Sequence, residues 1–171
     1  MTDFLILVNG LPGSGKTTLA TRLAAALPAP LISKDVVKEA LAAALPGLPP
    51  SAFGPAASEV MWDLAAATPG PVILESWWFK ARDLRFVEAG RKRCGGVKTV
   101  EIWCSVPPGE ALNRIRRRER AAIHEDERHV AEFWPAWSAG AEPLGIAYEI
   151  VVETDGPVDL AGLIERVRAR T

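Results

Sequence analysis

Residues 10–17 read Gly10-Leu11-Pro12-Gly13-Ser14-Gly15-Lys16-Thr17, a complete G-x-x-x-x-G-K-[ST] loop followed by Thr18. Its glycines allow successive backbone N–H groups to curl around a phosphate chain, and a helix starting behind it adds positive potential. Lys16 is the residue to reach the β and γ phosphates, and the Thr17 hydroxyl is the one to ligate Mg²⁺. The apolar run Phe4-Leu5-Ile6-Leu7-Val8 directly before the loop and a helical pattern directly after it supply the context this motif requires. These residues point to a bound nucleoside triphosphate.

A phosphate loop needs a strand and a helix to aim it, and the rest of the chain supplies more of both. Short apolar runs at 4–8, 31–32, 72–74, 99–104 and 148–152 read as five strands. Helical stripes lie between them: Leu19, Leu23, Ala26 and Leu27; then Val36, Val37, Ala40, Leu41 and Ala44; finally Leu160, Leu163, Ile164 and Val167 behind Asp159 as N-cap. Alternating strands and helices specify an α/β fold, a parallel five-stranded sheet with helices on both faces. Right-handed crossovers bring every strand's C-terminal end to one edge, where ligands of open α/β sheets bind. Residues that follow strands are therefore the candidates for chemistry. Residues 46–55 are too rich in Pro and Gly for a regular element and divide the second crossover into two helices. They read either as a surface connection or as a flap whose apolar contact is Phe53.

Ser33-Lys34-Asp35 follows the second strand, with Lys38 one turn later. Asp35 is placed to accept the proton of an attacking hydroxyl, and it suits equally the N-cap of a helix over 36–44. Glu75-Ser76-Trp77-Trp78 follows the third strand. Glu75 stands where Mg²⁺ or an acceptor is held, and two adjacent tryptophans cannot both point into one core, so one of Trp77 and Trp78 lines a pocket. After the fourth strand, Glu110 to Arg120 is a helical run with five arginines in seven residues; Arg114, Arg117 and Arg118 share a face. Such charge suits the equatorial oxygens of a phosphoryl group in transfer. Glu110 paired to Arg114 on a solvated helix is the plainer reading. Ala121–His129 reads as the hinge or tip of a lid spanning about 114–130; His124 and His129 read either as substrate contacts or, more plainly, as exposed and idle. Lys80 to Arg93 carries six cations and reads mostly as a solvated helix face, with a grip on an anionic acceptor as the other reading; Trp134 and Trp137 read as core or lid packing. The turn Glu153-Thr154-Asp155-Gly156-Pro157 after the last strand is expected beside the nucleotide base.

The chain has 171 residues, a net charge of −1 and 49% apolar residues, which fits one globular domain over 1–171 and gives no global pull toward nucleic acid or membrane. Cys94 and Cys104 lack metal-ligand spacing and fit a reduced, cytoplasmic setting. No apolar run approaches a membrane span, and the N-terminus lacks a leader pattern.

With these residues in place the chain resembles the small P-loop kinases of the nucleoside-monophosphate-kinase-like group. The subset nearest in pattern holds shikimate and gluconate kinases, chloramphenicol phosphotransferase and the kinase domain of polynucleotide kinase. The resemblance rests on Gly10–Thr17, on Ile32-Ser33-Lys34-Asp35, on the arginines at 114–120 and on Thr154-Asp155-Gly156-Pro157. It implies a three-layer P-loop NTPase fold with an Arg-rich lid, ATP and Mg²⁺ as cofactors, Asp35 as general base, and lid roles for Arg114, Arg117 and Arg118. Two places depart from the relatives: the lid string Ile123-His124-Glu125-Asp126-Glu127-Arg128-His129, and Glu75 followed by two tryptophans. The expected function is transfer of the γ-phosphate of Mg·ATP to a hydroxyl of a sugar, nucleoside or antibiotic-like small molecule. The substrate side then comprises Asp35, Lys38, Phe53, Glu75, Trp77 and Trp78. A 5′-hydroxyl kinase of nucleic-acid ends, a nucleotide switch or ATPase acting on a protein partner, and a kinase of a sugar nucleotide remain as alternatives.

Overall fold

The computed structural model describes residues 1–118 and 121–171. Glu119 and Arg120, the last two members of the expected arginine-rich helix, lie outside the described residues. The elements run β1 (Thr2–Asn9), α1 (Lys16–Ala26), β2 (Leu31–Ser33), α2 (Lys34–Ala44), α3 (Pro50–Ala67), β3 (Gly70–Glu75), α4 (Lys80–Arg93) and β4 (Lys98–Ser105). They continue through α5 (Pro108–Arg117), a 3₁₀ turn (Ala122–His124), α6 (Asp126–Gly140), β5 (Tyr148–Glu153) and α7 (Leu160–Arg168). All five strands are parallel, in the order β2-β3-β1-β4-β5. β1 is central, and Leu5 to Val8 are almost wholly buried, as a strand covered on both faces must be.

Alternate side chains of the sheet feed two cores. Ile6, Val8, Ile102 and Ile150 pack under α1 and α7, where they meet Leu19, Leu23, Leu163 and Val167. Leu5, Leu7, Val72 and Leu74 pack under α3 and α4 against Met61, Trp62 and Val87. The result is the three-layer architecture expected from the alternation of elements. A third, smaller cluster of Leu11, Val106, Ala111 and Trp137 joins α5 and α6 to the sheet edge where the site lies. No described helix is long and apolar enough to cross a membrane.

Local chemistry moved some boundaries. α3 starts at Pro50, inside the stretch expected to be irregular, because proline at the first helical turn gives up no hydrogen bond. Phe53 is thus a helical residue only 3% exposed, turned into the protein, and it is no flap contact. α2 begins at Lys34, so Ser33 is its N-cap residue and Asp35 lies in its first turn, not at its cap. A carboxylate there still complements the helix dipole. At α7 the Asp159 carboxylate does cap, accepting from Gly162 N at 3.0 Å.

One interior charge escaped the apolar reading of β4. Glu101 is fully buried in that strand, accepting from Asn9 Nδ2 at 2.9 Å and from Leu144 N at 2.9 Å. Asn9 in turn accepts through Oδ1 from Gly10 N at 2.8 Å and Trp78 N at 3.0 Å. The last residue of β1 therefore fixes both the entry to the phosphate loop and the backbone after β3.

Candidate active site

The loop between β1 and α1 is shaped by close approach. Gly13 sits at φ 83°, and a Cβ there would overlap the Ala111 carbonyl of α5. Only glycine supplies both the left-handed conformation and the room. Ser14 N donates to Leu11 O at 3.0 Å, and Lys16 Nζ donates to the same carbonyl at 2.9 Å. Lys16 is buried, and that burial pulls its ammonium below the ordinary lysine value against the opposing charge of Glu75. Ser14 Oγ is buried without a hydrogen-bond partner among the described residues, an unsatisfied polar atom inside the loop.

Glu75, 2% exposed, ends β3 next to Ser33 at the end of β2. Its Oε2 accepts from Ser33 Oγ at 2.6 Å and its Oε1 from Thr17 Oγ1 at 3.3 Å. The donors gathered here are all oxygens, the set a hard cation such as Mg²⁺ takes. No group of three or more His, Cys, Asp or Glu side chains with metal-binding geometry occurs among the described residues. A cation here would accordingly lean on Thr17, Glu75 and ligand phosphates, as Mg²⁺ commonly does.

One cavity of about 820 Å³ opens beside the loop. Pro12, Gly13, Gly15, Lys16, Thr17 and Thr18 line one end, while Lys34, Asp35, Lys38 and Glu75 line its wall along the ends of β2 and β3. Trp77 and Trp78 both border it, although 78 also packs into the α3–α4 core against Trp62 at 6.4 Å between ring centroids. Gly10, Leu11 and Ser14 support the loop from behind and do not line the cavity.

The arginines divide. Arg114 bonds Glu110 Oε1 at 3.0 Å and Thr154 O at 3.1 Å, and Arg118 bonds Asp126 Oδ2 at 3.0 Å; both line the cavity. Arg117, the last residue of α5, is exposed and does not line the cavity. The Thr154 hydroxyl, with one proton to share, lies 2.6 Å from Ser14 O and 2.9 Å from Ser105 O, which anchors the last turn to the loop. Asp155, Gly156 and Pro157 beyond it are exposed and outside the cavity lining.

Several cavity residues carried no clear signal in the sequence. His124, expected to be exposed, is 4% exposed, with Nε2 2.6 Å from Glu39 Oε1 and Nδ1 3.8 Å from Asp35 Oδ1. Beside it Lys38 Nζ donates to Ile123 O at 2.8 Å, so the 3₁₀ turn is docked on α2. His129, Phe133 and Trp137 form an aromatic stripe along α6, with Phe133 stacked on Trp137 at 5.6 Å and Trp77 edge-on to Trp137 at 6.1 Å. Their i, i+4, i+8 spacing was the readable signal; the pair Trp134 and Trp137 was the less informative choice. Lys34, Arg82, Asp83 and Phe86 also line the cavity, and they come from two helices, α2 and α4, that each pack against α3.

Residues 5–144 match the model of a P-loop family described as an AAA domain. The chain belongs to that family. Among solved structures, a provisionally assigned kinase from Chloroflexus aurantiacus is 25% identical, with a TM-score of 0.79 over 100% of both chains. A gluconokinase from Sinorhizobium meliloti is 18% identical, with a TM-score of 0.60 over 98% of this chain and 90% of that one. A shikimate kinase from Bacteroides thetaiotaomicron is 17% identical, with a TM-score of 0.53 over 96% of each. No curated protein sequence matches. The family and these folds agree with the resemblance to the small nucleoside-monophosphate-kinase-like P-loop kinases.

Proposed function

We propose that this protein is an ATP- and Mg²⁺-dependent kinase that transfers the γ-phosphate to a hydroxyl of a small molecule. The observation that carries the reading is that Asp35 lines the same cavity as Lys16 and Thr17, near enough for its charge to act on the Lys16 ammonium. Kinases among the structural neighbours support it.

The loop N–H groups and Lys16 hold the phosphates of ATP. Mg²⁺ at Thr17 and Glu75 neutralises phosphate charge when bound. The acceptor hydroxyl, oriented by the wall at Asp35, Lys38 and Trp77, attacks the γ-phosphorus. Its proton passes to the Asp35 carboxylate, and the bond from the γ-phosphorus to the bridging oxygen breaks as ADP leaves. Arg114 and Arg118 bring positive charge to the transferring group. The 3₁₀ turn and the start of α6 serve as the lid, docked on α2 through Lys38 and His124, and exclude water from the transfer. Thr154 and the exposed turn after it border the nucleotide on the far side of the loop. The cavity's aromatic wall favours an acceptor with a ring or an apolar face.

The test is acceptor-dependent ADP release from Mg·ATP across sugars, nucleosides, hydroxylated antibiotics and a 5′-hydroxyl oligonucleotide, with the product identified by mass. A phosphorylated small molecule is the expected result. Phosphorylation of the oligonucleotide alone would replace the reading with an end kinase. Hydrolysis indifferent to every acceptor would replace it with an ATPase or switch.

A further inference from the structure

His124 rides on the lid, and the transfer chemistry above gives it no part beyond docking. It ends the 3₁₀ turn and is only 4% exposed, although the two carboxylates it meets on α2 are half-exposed. Those carboxylates, Asp35 and Glu39, stand at i and i+4 on one helix, where like charges repel. The imidazole spans them: Nε2 lies 2.6 Å from Glu39 Oε1, and Nδ1 lies 3.8 Å from Asp35 Oδ1.

The backbone on either side fixes the ring there. Lys38 Nζ donates to Ile123 O at 2.8 Å, one residue before it. Glu125, one residue after it, has φ 49°, the one positive φ outside glycine among the described residues. A residue with a Cβ takes that conformation where its surroundings impose it. The lid's other charges are matched among themselves: Arg118 bonds Asp126 and Arg128 bonds Glu125, each at 3.0 Å. Burial, and after it the charge of Lys38, holds the His129 imidazole below its ordinary value.

The short contact to Glu39 assigns the tautomer. An ionised carboxylate only accepts, so Nε2 carries the proton and the neutral ring turns its Nδ1 lone pair toward Asp35. In their ordinary ranges an imidazole holds a proton more tightly than a carboxylate does. A proton on Asp35 therefore has a downhill destination at Nδ1. The 3.8 Å separation has to close to about 3 Å for the handover, a tightening that commonly comes with the reactive complex.

We propose that His124 is a positioning residue and proton relay for Asp35, its Nε2–H held by Glu39 and its Nδ1 taking the proton that Asp35 receives. The inference rests on the kinase reading for Asp35 as base. The O–H bond of the attacking hydroxyl breaks as an O–H bond to Asp35 forms; that bond breaks in turn as Nδ1–H forms. The imidazolium stands between two carboxylates and gives its proton to water when the lid leaves α2, and Asp35 is ionised for the next turnover. Because the ring belongs to the lid, the relay is complete only while the turn is docked, which ties deprotonation of the acceptor to closure.

The chain has two histidines, so protein carrying isotope-labelled histidine gives two ring systems in nuclear magnetic resonance, and the loss of one in H124Q assigns them. The neutral ring of His124 is expected to carry its proton on Nε2; a proton on Nδ1 overturns the proposal. H124Q keeps an amide donor for Glu39 and offers no basic nitrogen to Asp35. Single-turnover transfer from γ-labelled Mg·ATP is measured with whichever compound of the acceptor panel is phosphorylated fastest, or with water where none is. H124Q is expected to bind Mg·ATP within about twofold of the parent and to transfer about tenfold or more slowly, a smaller loss than that of the base itself. In D35N, which has no carboxylate to relieve, the same change is expected to cost nothing further. Transfer in H124Q within about twofold of the parent overturns the proposal. So does an equal loss in the D35N background, which would make the ring a lid contact acting apart from Asp35. Failure of the kinase reading shows separately, as hydrolysis without any phosphorylated acceptor, and the response of that hydrolysis to H124Q still decides the relay. An acceptor phosphorylated equally by parent and H124Q keeps the kinase and removes the relay.

Discussion

Ser33 and Glu75 are register partners at the ends of β2 and β3, and the Ser33 hydroxyl donates to Glu75 Oε2 at 2.6 Å. This contact ties the start of α2, which carries Lys34 and Asp35, to the carboxylate that reaches Thr17. The α2 side of the cavity and the end lined by the loop are thus linked by a side-chain hydrogen bond across neighbouring, paired strands.

Replacing Ser33 with Ala therefore leaves a buried carboxylate oxygen without its partner. The expected loss of folding stability is about 1–3 kcal/mol, read from urea unfolding midpoints. Because Glu75 then loses its orientation beside Thr17, the Mg²⁺ concentration for half-maximal ATP turnover should rise as well. A variant that unfolds and responds to Mg²⁺ as the parent does would reduce this contact to decoration.

The two neighbouring arginines of α5 should separate cleanly. Arg118 lines the cavity and is aimed by Asp126, whereas Arg117 is exposed and outside it. Arg118→Ala is expected to lower kcat by at least about tenfold, since charge on the transferring phosphoryl group is lost. Arg117→Ala should stay within about twofold, the range of a solvated surface charge. Steady-state kinetics of both variants with a single acceptor decide the matter.

Most of the architecture was legible in the residues. Five apolar runs, the loop at 10–17 and the helical stripes fixed strand number, parallel pairing and the edge that carries the site. What escaped depends on interactions between distant segments. Phe53 sits in a Pro/Gly-rich stretch whose proline turned out to start a helix, and its burial follows from how α3 packs. His124 reads as an idle lid residue until α2 brings Glu39 to 2.6 Å from it. Lys34 has no distinguishing spacing at all; its environment exists only once α4 presents Arg82 and Asp83. Glu101 broke the apolar pattern of β4, and its partners Asn9 and Leu144 are 92 and 43 residues away in sequence.

Glu101 also makes a pH prediction. Burial raises its carboxyl above the ordinary glutamate value, more than the bonds from Asn9 and Leu144 lower it. The folded state then holds this proton more tightly than the unfolded chain. Its contribution to stability is full below the unfolded value of about 4.3 and is lost as pH rises through the raised folded value. Glu101→Gln removes that component, so the variant should lose less stability than the parent between about pH 4.5 and neutrality. Urea midpoints across that range test it, and parallel slopes for the two proteins would contradict it.

The central claim is that Asp35 accepts the proton of a hydroxyl attacking ATP held on Lys16 and Thr17. The most direct measurement compares the parent and Asp35→Asn for Mg·ATP affinity and for transfer of label from γ-labelled ATP to the acceptor. The account predicts nearly equal affinity and transfer slowed by about 10²-fold or more, the scale of general-base loss. Transfer at the parent rate in Asp35→Asn would contradict it.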